Sequence, residues 1–153
     1  MKNIFLFVCL TLLSCSINKK NIIDKTPLVT MSRTGCYGTC PQYKISIYSD
    51  GLIMYNGTRF VKRLGCFKSK ITSSQIDFIK SELRKISFFD LDSEYISPIT
   101  DIPSVITEVT LDGFTHRVRD RLDGPRFLKD FYKRLDATVD SILFWKPCDL
   151  SDN

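Results

Sequence analysis

Histidine is almost missing: His116 is the only one in 153 residues. A site built from two or three imidazoles is therefore excluded. Glycine is sparse too, with seven in the chain, and none forms a glycine-rich loop that could cradle phosphate. There is no Ser-His-Asp order and no pair of carboxylates at a spacing that suggests acid–base work. No apolar run reaches the roughly 20 residues that cross a bilayer as a helix. Nucleic-acid motifs are absent, and a net charge of +5 is mild. These absences favour a protein without a catalytic centre over an enzyme. They call for no cofactor, no resident metal and no nucleic-acid partner.

What is present begins at the N-terminus. Met1-Lys2-Asn3 is a short basic segment, and Ile4 to Leu13 is apolar or small throughout. That is the length of a signal-peptide core. It ends in Leu12-Leu13-Ser14-Cys15, which resembles a bacterial lipobox. On this reading residues 1–14 are a lipoprotein signal peptide and Cys15 carries the lipid. Residues 15–27 form a lipidated tether, 28–148 a single domain and 149–153 a tail. Loss of residues 1–14 removes one lysine and lowers the charge from +5 to +4. The expected place is the bacterial cell envelope, anchored to a membrane through Cys15, with the domain in the periplasm and an envelope protein or ligand as partner.

Four cysteines remain in that domain: Cys36, Cys40, Cys66 and Cys148. An even number in an oxidising compartment suggests disulfides. Three pairings are possible, and proximity favours Cys36 with Cys40, leaving Cys66 with Cys148. Cys36 and Cys40 stand in the densest chemistry of the chain, Arg33-Thr34-Gly35-Cys36-Tyr37-Gly38-Thr39-Cys40-Pro41-Gln42-Tyr43. So short a loop removes little unfolded-state entropy, about 2 kcal/mol. Its use is to fix a local shape. The alternative is chemistry. Cys36-x-x-x-Cys40-Pro41 is similar to the copper-handling motif of Sco-type thioredoxin-like proteins, which implies thiol-redox or Cu(I) work with His116 as a further ligand. Arg33 is either an ion-pair partner for an acid or a group that poises a thiolate.

The remaining pattern is of hairpins and helices. Leu28 to Ser32 has strand character. Tyr43 to Tyr48 alternates, with Tyr43, Ile45 and Ile47 on one face. Asp50-Gly51 turns the chain, Leu52 to Asn56 returns, and Asn56-Gly57 reads as a second turn before a third strand within 59–70. Thr72-Ser73-Ser74-Gln75 is a capping box opening a helix with the stripe Ile76, Ile79, Leu83 and Ile86. Residues 90–103 hold two prolines and no clean period, so they read as an ordered loop or a broken segment. Val105 to Leu111, Asp112-Gly113 and Phe114 to Arg121 make another hairpin, with Arg117, Arg119 and Arg121 alternating on one face. Gly124-Pro125 precedes a last helix, with proline suited to its first position, and Phe131, Leu135, Val139 and Ile142 on its stripe. The expected fold class is α+β: one antiparallel sheet from two hairpin–helix units, both helices on one face.

Together these positions carry a family resemblance. Arg33, Cys36, Gly38, Cys40-Pro41, Tyr43, Asp50-Gly51, Tyr55, Gly57, Thr100-Asp101, Pro103, Asp112-Gly113 and Gly124-Pro125 occur in the order and spacing of domain-of-unknown-function family 6438. The resemblance covers about residues 28–142. It implies a secreted or lipid-anchored bacterial domain and brings no activity. Cys66 and Cys148 fall outside its pattern. The expected function is therefore a binding or interaction module, with Arg33, Tyr43, Asp101 and Pro103 as candidate recognition residues.

Overall fold

The computed structural model describes residues 26–148. Residues 1–25 and 149–153, and with them the signal peptide, Cys15, most of the tether and the tail, lie outside the described residues. Two helices and one eight-stranded sheet make a mixed α+β fold. The strands are β1 (Val29–Arg33), β2 (Gln42–Ile47), β3 (Leu52–Arg59), β4 (Gly65–Lys70), β5 (Glu94–Ile96), β6 (Val105–Leu111), β7 (Phe114–Arg121) and β8 (Lys146–Pro147). The helices are α1 (Ser73–Lys85) and α2 (Arg126–Asp140). Strand order across the sheet is β5-β7-β6-β1-β2-β3-β4-β8. β1 lies at the centre because its neighbours come from both halves of the chain, β2 on one side and β6 on the other.

Alternation decides which side chains enter the core. Val29 and Met31, Ile45 and Ile47, Ile53 and Tyr55, Val109 and Val118 are all buried. They meet Ile76, Ile79 and Leu83 of α1 and Leu128, Phe131, Leu135 and Val139 of α2 in one cluster. The start of α1 is fixed as its sequence demands. Thr72 Oγ1 accepts from the Gln75 backbone N–H at 3.2 Å, and Gln75 Oε1 accepts from the Thr72 N–H at 2.9 Å.

Four sequence expectations are corrected. Asn56-Gly57 is not a turn: β3 runs through it to Arg59, and the chain reverses over residues 60–64. Gly57 is needed for room, since a Cβ there would stand 2.0 Å from the Arg63 carbonyl oxygen. The segment 90–103 is not wholly irregular: β5 pairs with β7, and this is the parallel pair in an otherwise antiparallel sheet. Three residues between polar neighbours and prolines carry too little period to be read. α2 ends at Asp140, so Ile142 packs on the core from beyond the helix. Pro125 caps α2 in an extended conformation, one residue before the helix begins.

Candidate functional site

β1 and β2 are paired up to Arg33 opposite Tyr43, and there the ladder stops. Both side chains lie on the core side of the sheet, where α2 crosses, and they find Asp136. Arg33 Nη2 donates to Asp136 Oδ2 at 2.5 Å, Arg33 Nε donates to the Tyr43 hydroxyl at 2.7 Å, and that hydroxyl donates to Asp136 Oδ1 at 2.5 Å. The three groups close a ring of hydrogen bonds. Arg33 and Asp136 are 27% and 28% exposed, so water screens the pair only partly. Burial pushes the Tyr43 phenol well above the usual tyrosine range, Asp136 pushes it further, and Arg33 opposes both. Burial alone would lower the Arg33 pKa; the Asp136 carboxylate outweighs it and holds the guanidinium charged. The arrangement keeps Tyr43 a neutral donor and Arg33 a fixed cation.

An aromatic wall continues from this ring. Tyr43 stacks on Tyr55 with centroids 5.5 Å apart, Tyr55 tilts against Trp145 at 6.0 Å, and the Arg63 guanidinium lies 5.5 Å over Trp145. A cleft of about 290 Å³ opens beside it, with Asp136 and Asp140 on one wall and Lys62 and Arg63 on the other. Burial raises Tyr55 as well, against the pull of Arg63.

Beyond the end of the ladder, Cys36 and Cys40 are joined, with their Cα atoms 5.7 Å apart. The bond gathers residues 36–40 into a hoop. Three hydrogen bonds clip the β1–β2 connection to the segment before β6: Thr34 N–H to Ser104 O at 3.0 Å, Ser104 N–H to Thr34 Oγ1 at 2.8 Å, and Tyr37 N–H to Asp101 O at 3.1 Å. Asp101 meets this contact in the left-handed region, at φ 61°. The Tyr37 ring is left 93% exposed on a backbone tied at both sides. Gly35, Cys36, Tyr37, Asp101 and Arg121 surround a hollow of about 340 Å³, and Arg121 Nε is buried there without a hydrogen-bond partner.

This geometry belongs with a match to a known family model over residues 27–139. The chain belongs to the family described as a domain of unknown function, DUF6438. No curated protein matches it. Within the DUF6438 domain, the residues singled out in the sequence gather mostly at one end of the sheet. Arg33 and Tyr43 share the ring, Asp101 meets Tyr37, and Pro103 shares a hollow of about 280 Å³ with Arg33. Cys66 and Cys148 are also joined, with Cα atoms 5.4 Å apart. Their bond fastens β8 to β4, and the family match ends before Cys148.

Asp136 was missed from sequence, and so was Asp120. The Asp120 carboxylate is buried and accepts from the Gly124 N–H at 2.9 Å; a Cβ on Gly124 would come within 2.5 Å of it. That contact explains the glycine that precedes Pro125 at the start of α2. A signal existed for Asp136: it adjoins Leu135 on the apolar stripe, where an acid has no place unless it is paired. His116 sits elsewhere. It faces Val109, which faces Val29 at the far end of β1 from Arg33, and its Nε2 lies 2.9 Å from Leu91 O. Among the described residues, no group of three His, Cys, Asp or Glu side chains is placed to hold a metal ion.

Proposed function

We propose that this DUF6438 domain is a binding module of the bacterial cell envelope, carried as a lipoprotein on Cys15, and that its recognition surface is the hoop at 36–40 with the Asp101-Pro103 segment. The observation that carries this reading is Tyr37. Tyrosine offers an approaching partner a broad apolar face and a hydroxyl at once, which is why it is enriched at interfaces. Its backbone is held by a disulfide on one side and by Asp101 on the other, so little ordering entropy remains to be lost when a partner closes on it. Arg33 and Tyr43 support the surface from below by locking the end of the ladder to α2.

The layer arrangement is part of the reading. Both helices cover the same face of the sheet, which leaves the ladder end open. Support comes from the shared core and from Arg134 of α2, which donates to Glu82 of α1. A thiol-redox or copper role for Cys36 and Cys40 has less behind it. Arg33 is engaged by Asp136 and Tyr43, and His116 lies at the far end of the sheet.

A photo-crosslinking residue at Thr39, with the same residue at Ser74 on α1 as control, tests the surface in cells making the full chain. A discrete adduct at position 39 that disappears with Tyr37→Ala is expected. No adduct, or the same adducts from both positions, sinks the reading. Cys15→Ser should abolish incorporation of labelled fatty acid; persistence of the label would remove the anchor from the proposal.

A further inference from the structure

Acids are scarce in the strands. Only Glu94, Glu108 and Asp120 occur there, and Asp120 points into the protein. Cations are common, and the register gathers them. Residues directly opposite in a ladder lie on the same side of the sheet. Following the pairs from β7 to β8, Arg117, Glu108, Lys68 and Lys146 fall in one row. Glu94, Arg119 and Lys44 fall in the next row, so that Arg119 has Glu94 opposite it as Arg117 has Glu108, and Lys70 lies one row beyond the first toward the other end. All lie opposite the side that holds Val118, Val109, Met31, Ile45 and Ile53. Arg117, Arg119, Lys44, Lys70 and Lys146 are exposed and make no ion pair within 4 Å among the described residues.

We infer that this outer face of the sheet is a docking surface for a linear anionic polysaccharide, separate from the surface around Tyr37. Charge complementarity gives the sign of the partner. The spacing gives its shape. From β7 to β8 the cations span six strand gaps, about 29 Å, and the twist accumulated over those gaps exceeds 90°. A flat membrane cannot touch both margins of such a surface, whereas a flexible polymer can follow it. The residues between the cations give its class. Thr30, Ser32, Asn56 and Thr110 offer hydroxyl and amide groups to a polyhydroxylated chain. The aromatic ring on this face is Tyr48, just past β2, with its hydroxyl against Met54; a single ring is no platform for the successive bases of a single-stranded nucleic acid. The two arginines suit sulfate, phosphate or carboxylate groups, whose oxygens match the guanidinium fork.

The test is titration of the full chain in neutral detergent with a heparin oligosaccharide, the probe for a sulfated glycan, over a series of salt concentrations. Arg117→Ala with Arg119→Ala should weaken binding at least ~10-fold near 0.1 M salt and reduce the log–log salt slope by about two. Arg126→Ala with Lys133→Ala removes the same charge from α2 and should change affinity less than ~2-fold. Equal losses in the two variants would reduce the effect to net charge and overturn the site. Unchanged binding without Arg117 and Arg119 would do the same. Tighter binding to a single-stranded DNA oligomer or to anionic phospholipid vesicles than to heparin would overturn the polysaccharide assignment.

Discussion

The two ends of the sheet are closed by different means. At one end Asp112-Gly113 joins β6 to β7, and Asp50-Gly51 lies in the turn between β2 and β3. The ion pair there, Arg84 with Asp112, stands in water with the two side chains 59% and 66% exposed. At the other end the connections are longer and irregular. Phe60, Asp101 and Leu122 adopt left-handed backbone there, at φ 55°, 61° and 84°, whereas Asp112 at the first end does so at φ 53° as part of an Asp-Gly turn, where aspartate tolerates it. A disulfide hoop, an Arg–Tyr–Asp ring and a buried carboxylate hold the backbone around residues 33–43 and 120–124 in place. Plain turns need only the right two residues, while strained ones need the surrounding structure to over-determine them. The fixed, irregular end is therefore where a rigid surface for a partner can be built.

The comparison can be broken at its glycines first. Gly57→Ala should cost about 3 kcal/mol of unfolding free energy, because the new methyl meets a carbonyl oxygen that belongs to the backbone. Gly113→Ala, where a Cβ would meet nothing within 4 Å, should cost about 1 kcal/mol from its positive φ alone. Urea denaturation reads both, and equal costs would mean that the two ends are not built differently. A finer test sets one Arg–Asp pair against the other. Asp136→Asn should cost about 2 kcal/mol, since it leaves Arg33 partly buried without its counter-ion and turns one of the two acceptor oxygens into a donor that faces Arg33 or Tyr43. Arg84→Ala should cost about 0.3 kcal/mol. A cost for Asp136→Asn below that of Arg84→Ala would show the ring to be incidental.

The same contrast explains what could be read from sequence. The simple end was legible because its signals are local: Asp-Gly pairs between alternating strands, and a capping box four residues long. The α+β class and the apolar stripes followed from the same short-range periods. At the complex end the local signals pointed to the right neighbourhood but not to its contents. Arg33 and Tyr43 stood out beside the cysteines, yet their partner lies 103 and 93 residues away on α2. Asn56-Gly57 read as a turn because a glycine kept for room looks the same in sequence as one kept for its backbone freedom. β5 escaped because a three-residue parallel strand is specified by what lies beside it rather than by its own pattern.

The sheet also has outermost strands, and they bear on how the molecule behaves among its own copies. A bare strand edge is a template for adding another chain, the first step toward fibrous aggregation. Here one edge is β5, three residues long, and the other is β8, two residues long and half proline. Lys146 adds a charge to that edge, and proline has no N–H to offer. β8 is held over the longer β4 by the bond between Cys66 and Cys148, 82 residues apart in sequence. That bond thus acts as a guard against polymerisation: while it is intact, the middle of the six-residue β4, at Phe67 and Lys68, is covered by a strand too short and too poor in donors to recruit a second molecule.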